Sequence, residues 1–347
     1  MAYATINKPT DYFDTKLYTG NDTDNRAVTG LSFAPDLVWI KDRTNSNSHY
    51  MQDTVRGATK NLKVDGTDAE ETRVSSIKSF TSDGWTMGTE AAVNANSQTF
   101  ASWNWKAGTT GSGTSTGSGT GKAYSYSVNT TSGFSIVKYV GNGSSGHTIP
   151  HHLGAVPQIV LVKCLDQTYN WCMYNKHYGN GKALYLNDNT IGATSTGFWN
   201  DTHSTSSVFT LGNDNATNQN DQNYIAYCFA EKVGYSKFGK YIGNGDANGA
   251  FIYTGFKPTF FLVKNISTTG KYWLMFDNKR DVDNPVGQRL YPADTDVEAT
   301  GNENDFLSNG IKLLTTGDFY NASGSDYIYM AFGQSLVGTN NIPCTAR

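Results

Sequence analysis

One short motif occurs three times along the chain. It reads Phe33-Ala34-Pro35-Asp36-Leu37-Val38-Trp39-Ile40-Lys41, then Ala155-Val156-Pro157-Gln158-Ile159-Val160-Leu161-Val162-Lys163, then Phe256-Lys257-Pro258-Thr259-Phe260-Phe261-Leu262-Val263-Lys264. Its proline returns at offsets of 122 and 101 residues (157 − 35 and 258 − 157). That period is too long for a solenoid turn or a propeller blade and matches a complete small domain. Other landmarks recur in the same order. Tyr18-Thr19-Gly20-Asn21 matches Tyr139-Val140-Gly141-Asn142 and Tyr241-Ile242-Gly243-Asn244, and residues 100–105 match 224–229 and 327–332. The chain reads as three similar domains in a row, which favours an architectural or binding role over a single catalytic centre.

Composition sets the class of those domains. Aromatics reach 13%, with 21 Tyr, while charged residues make up only 16%. Tyr and Thr favour pleated, half-buried surfaces, and Gly and Asn supply the left-handed positions of tight turns. Helical spacing of apolar residues is nowhere sustained, and short apolar runs recur about every ten residues between turn signals. The expected fold is all-β: three tandem β-sandwich, jelly-roll-like domains of about 100 residues each. Residues 159–162 are continuously apolar, as in a strand covered on both faces, and Pro157 stands at its start, where a missing N–H costs little.

The boundaries follow from composition shifts. Residues 1–11 read as a leader able to dock on a partner, and 12–107 as the first repeat. The Gly/Ser/Thr stretch 108–121 has no side chain fit for a core and predicts a flexible or extended linker. The second repeat spans 122–231 and a short linker 232–237 follows. The third repeat spans 238–335, and 336–347 form a tail outside the pattern. The short join predicts contact between repeats two and three, with repeat one free to swing.

The formal net charge of −3, with scattered Lys and Arg, argues against nucleic acid as a partner. No apolar run is long enough for a membrane helix, and the first residues lack a signal-peptide pattern, so folding in a cytoplasm is expected. The four cysteines, Cys164, Cys172, Cys228 and Cys344, show no metal-type spacing. Reduced thiols acting as small hydrophobes are the favoured reading, with a Cys164–Cys172 pair across a hairpin as the alternative.

Catalytic motifs are missing: no GxSxG elbow, HExxH, P-loop or Rossmann glycine pattern occurs. The His147, His151 and His152 cluster lacks matching Cys or carboxylate spacing and reads as a polar loop, not a metal site. The Gly-Asn loops carry Asp22, Asp24 and Asp246, and turn chemistry explains them without calcium. No cofactor is expected, and no enzymatic activity. Trp39, Trp105, Phe229 and Phe332 lie in repeated strands and read as core. Trp85, Trp103 and Trp199 have no repeated Trp counterpart. Tryptophan faces stack well on sugar rings, so these three, with Phe198 and His203 beside Trp199, are the candidate ligand-binding residues.

Three strings carry a resemblance: residues 136–143 (IVKYVGNG), 148–154 (TIPHHLG) and 224–231 (YIAYCFAE). Together they resemble a repeated domain of tail-fibre and other virion proteins of tailed bacteriophages, marine ones especially, over about residues 12–332. The resemblance implies a virion structural protein, on the tail or as a projecting appendage, that contacts the host surface and takes a host glycan there. It implies other virion proteins as partners, assembly in the host cytoplasm, and a homo-oligomer with trimer as the default. The alternatives are a purely structural capsid decoration or connector and, behind it, a polysaccharide-degrading enzyme. The chain departs from a long fibre: it has no coiled-coil heptads, β-helix or collagen-like repeats, which favours a compact appendage.

Overall fold

The structure, a computed structural model, describes residues 4–301 and 303–335. It is built almost entirely of antiparallel strands. Each repeat pairs one large sheet with one three-stranded sheet. In repeat one the large sheet runs, in spatial order, Phe13–Thr19, Thr99–Trp105, Leu37–Asp42, Tyr50–Asp53, Lys60–Lys63 and Glu71–Thr72. The small sheet runs Arg26–Val28, Gly84–Met87 and Ile77–Thr81. Repeat two keeps this plan around Phe134–Val140, Asn223–Phe229 and Ile159–Cys164, and repeat three around Ser236–Ile242, Asp326–Ser335 and Phe256–Asn265.

The repeated apolar strand explains how the three units join. Successive strand side chains point to opposite faces. In Leu37–Asp42, Val38 and Ile40 turn into the sandwich of their own repeat, while Leu37 and Trp39 turn the other way. Ile159, Leu161, Phe260 and Leu262 turn with them, so the outer faces of all three large sheets meet in one shared core. The molecule is therefore three sandwiches closed around a common pseudo-threefold centre. The continuous apolar run is covered on both faces, as expected, and its second cover is the neighbouring repeats.

Aromatic rings from all three repeats crowd that centre. Trp105 lies 6.1 Å from Phe229, 6.2 Å from Phe260 and 6.0 Å from Phe332, centroid to centroid. Phe13 stacks on Phe332 at 5.0 Å. A cavity of about 30 Å3, lined by Leu37, Trp39, Met173, Leu262 and Met330 among others, remains between the sheets. It has no polar lining, so nothing there would hold a water.

Three expectations are corrected by this closure. Repeat one does not swing, because its strands form one side of the shared core. Residues 108–121 are not a flexible linker: Thr109–Thr114 pairs with Ala123–Asn129, and Thr116–Gly117 pairs with His147–Pro150. The glycines there serve sheet packing. A Cβ on Gly111 or Gly113 would come within 2.6–2.7 Å of the Tyr126 or Tyr124 hydroxyl, so glycine makes room for the cross-strand Tyr rings. The leader docks on the chain itself, with Ile6 buried in the shared core. The short join is packed as well, through Tyr235 against Tyr12 and Phe332. Residues 336–347, with Cys344, lie outside the described residues. The remaining three cysteines are buried free thiols, as the reduced reading expects.

Candidate functional site

The residues singled out from sequence lie in the interior. Trp85, Trp103 and Trp199 are at most 1% exposed and Phe198 is buried. The Trp199 indole N–H donates to the Lys182 carbonyl at 3.0 Å, and its ring meets Tyr174 edge-on. None of these rings offers a face to a ligand. The correction has a physical cause: in a chain whose central strands are buried on both faces, an unrepeated tryptophan is one more core side chain. His203 is exposed, and its Nδ1 is 3.0 Å from the Tyr174 hydroxyl. The five candidates do not form a common site.

The histidine cluster is bound up in structural contacts. His147 lies between Ser115 Oγ at 2.6 Å and Asn218 Oδ1 at 2.9 Å. His151 Nε2 faces the Thr205 carbonyl at 3.1 Å, and its Nδ1 accepts the Leu153 N–H. His152 stacks on Tyr126 at 3.7 Å. No group of three His, Cys, Asp or Glu side chains suited to a metal occurs among the described residues.

Burial lowers the pKa of His49, His147, His151, His152 and His177, with His151 falling to about 4. The unfolded chain binds these protons near pH 6.5. Above that pH both states are neutral and the stability is full. As pH falls below 6.5 the unfolded state takes up protons that the fold refuses, so stability is lost down to the folded pKa. His151 alone contributes about 3 kcal/mol to that loss by pH 4. Urea titrations between pH 7 and 4.5 are expected to show this decline, with a shallower slope in His151→Gln. Equal slopes in the two proteins would contradict it.

The Gly-Asn loops have a structural explanation that the sequence alone did not reveal. Asn94, Asn218 and Asn321 occupy equivalent positions, each fully buried. Each Oδ1 accepts a loop N–H, from Asn21, Asn142 and Asn244 respectively, at 3.0–3.1 Å. Each Nδ2 donates to nearby carbonyls, Gly88, Gly212 and Thr315 among them. Tyr18, Tyr139 and Tyr241 stack on Phe100, Tyr224 and Tyr327 at 5.1, 5.1 and 5.0 Å beside this latch. The signal was present as an asparagine recurring at offsets of 124 and 103 residues (218 − 94 and 321 − 218).

The joints between repeats form a second repeated device. Lys41, Lys163 and Lys264, which end the repeated motif, are fully buried. Each donates to a carbonyl of another repeat: Lys41 to Thr295, Lys163 to Thr67 and Lys264 to Asn189, at 2.9–3.1 Å. The bonds run from repeat one to three, two to one and three to two, closing a ring. Burial lowers each ammonium's pKa to about 8. Trp171 and Trp273 follow the same circuit, donating to the carbonyls of Lys63 and Tyr185 at 2.9 Å.

Two joints also carry buried ion pairs. Asp277 holds Arg280 at 2.6 Å and accepts the Trp103 indole N–H at 3.1 Å. Arg280 reaches Glu298, which in turn pairs with Arg43 of repeat one. Asp53 holds Arg56 at 2.5 Å and accepts the Tyr227 hydroxyl at 2.7 Å. The third joint has Asn175, Tyr178 and Met330 at the corresponding positions, so no such pair exists there.

One surface cleft gathers aromatic and charged groups. It measures about 200 Å3 and is lined by Arg289, Tyr291, Glu303, Thr315, Phe319 and Tyr320 over Leu274. Arg289 Nε donates to the Tyr291 hydroxyl at 2.7 Å and its Nη1 to Glu303, which also accepts the Tyr320 hydroxyl. Burial raises the Glu303 pKa. The cleft belongs to repeat three alone. The positions of Arg289, Phe319 and Tyr320 are taken by Asn61, Ala92 and Val93 in repeat one and by Ala183, Ala216 and Thr217 in repeat two, all buried. Sequence reasoning missed it because its residues are far apart in the chain and come together only in the fold.

No curated protein and no solved structure matches the chain. A family model does match, over residues 8–335, nearly the whole length. The chain therefore belongs to the DUF7483 family, a domain of unknown function.

Proposed function

We propose that the chain is a structural protein of a bacteriophage virion, a tail fibre or tail-associated appendage that contacts the host surface. The resemblance of residues 136–143, 148–154 and 224–231 to virion repeat domains supports the reading. The observation that carries it is the closure of three repeats around one core by a ring of buried lysine bonds. Such a body suits attachment along a threefold axis of a trimeric appendage, where each repeat meets one subunit of the partner. Burial of the central strands on both faces and the buried ion pairs make it a rigid unit, as a particle exposed outside the cell requires. A capsid decoration or connector would use the same symmetry at a threefold position of the shell.

Electron microscopy of purified particles labelled with a gold-tagged antibody to the protein tests the reading. Label on the tail or its fibres is the expected result, together with slower adsorption of the labelled particles. Label distributed over the capsid would favour the decoration reading. Absence of the protein from purified particles by mass spectrometry would overturn both.

A further inference from the structure

We propose that the cleft of repeat three is a binding subsite for one neutral pyranose ring. The proposal stands on the cleft's own chemistry and holds whether the protein sits on tail or capsid. A sugar offers two surfaces: a face of C–H groups and an edge of hydroxyls. The cleft supplies partners for both. Tyr291 and Phe319 are partly exposed and line its wall. Lys271 Nζ covers one face of the Phe319 ring at 5.1 Å, and aromatic surface of this kind suits C–H contact. Arg289 and Glu303 lie within it as donor and acceptor for hydroxyls.

The polar groups are held in place and retain capacity. Arg289 is fixed through Nε on Tyr291 and Nη1 on Glu303, and among the described residues its Nη2 has no protein acceptor. The Tyr291 hydroxyl accepts from Arg289, which leaves its own proton to donate. Pairing of Arg289 with Glu303, and of Lys271 with Asp318 beside Phe319, leaves the cleft close to neutral overall. A sugar carboxylate would meet Glu303 and an amine would meet Arg289, so an uncharged ring is favoured. The volume of about 200 Å3 lies below the roughly 300 Å3 at which pockets for drug-sized ligands begin, which limits the site to one ring.

Comparison within the chain supplies the second line of argument. Repeats one and two fill these positions with Asn61, Ala92, Val93, Ala183, Ala216 and Thr217, and all six are buried. The sandwich therefore has no need of large aromatic or charged groups there. Repeat three carries Arg289, Phe319 and Tyr320 in their place, and the cleft opens beside them.

Saturation-transfer NMR on the full chain tests the site, using methyl glycosides of glucose, galactose, mannose and N-acetylglucosamine, with glucuronate as the charged control. At least one neutral glycoside is expected to receive saturation at its ring protons, with a Kd of about 1–10 mM as befits a single small ring, and glucuronate is not. Phe319→Ala and Arg289→Ala are expected to weaken that binding at least tenfold. Tyr291→Phe, which removes only the hydroxyl that holds Arg289 and keeps the fold, is expected to weaken binding too. Tyr253→Ala, an exposed aromatic elsewhere in repeat three, is expected to leave binding unchanged. No transfer from any glycoside at about 50 mM would overturn the proposal. So would binding that persists in folded Phe319→Ala and Tyr291→Phe proteins, or binding lost equally in Tyr253→Ala.

Discussion

Asp277→Ala lowers the unfolding free energy by about 3–5 kcal/mol. The carboxylate is wholly buried and serves four donors. Oδ1 accepts the backbone N–H groups of Lys279 and Arg280, and Oδ2 accepts Arg280 Nε and the Trp103 indole. Burial works against the Arg280 charge, and the Asp277 and Glu298 carboxylates more than offset it, so its pKa is raised. Without Asp277 the guanidinium stays buried with one carboxylate fewer, and an indole N–H of another repeat loses its acceptor. Asn175→Ala alters the corresponding position of the third joint. Asn175 Nδ2 is buried without a partner among the described residues, so a cost of only about 1 kcal/mol is expected there. Guanidinium denaturation followed by tryptophan fluorescence measures both. Equal costs at the two positions would show that the ion pair contributes nothing specific to the joint.

Trp105→Ala is the second large effect, again about 3–5 kcal/mol. Trp105 lies on a strand of repeat one but its ring touches Phe134 and Phe229 of repeat two and Phe260 and Phe332 of repeat three. Truncation leaves a cavity at a place where three rigid sheets meet, and such a site collapses poorly. The loss is expected to be shared by all three repeats. Hydrogen exchange should accelerate in strands Ile159–Cys164 and Phe256–Asn265 as well as in repeat one. Acceleration confined to repeat one would mean that the repeats fold as independent units.

Much of the architecture was legible because it is local. The repeated motif, the alternation in Phe134–Val140 and the Gly-Asn turns all report strand and turn chemistry within a few residues, and the all-β sandwich reading follows from them. The shared core was not legible. A continuous run such as 159–162 says that both faces are covered, and nothing in it says that the second cover is another repeat. The same gap produced the reading of 108–121 as a linker, since Gly111 and Gly113 gain their purpose only from the Tyr rings of the facing strand. It also produced the choice of Trp103 and Trp199 as ligand residues. Their uniqueness among the repeats reflects how each copy fills a slightly different interior. The repeat-three cleft draws on Arg289 and Glu303, which are 14 positions apart, and on Phe319, which follows strand Gly310–Leu313. No spacing rule connects them.

Small-angle X-ray scattering of the monomer peak from size-exclusion chromatography tests the closed arrangement most directly. Three repeats packed around one core give a radius of gyration of about 20 Å for a chain of this length. A single-peaked distance distribution should accompany it. Three separate sandwiches of about 13 Å each, strung along the chain, would give about 30 Å. A value near 30 Å, with a distance distribution drawn out to one side, would contradict the shared core on which this account rests.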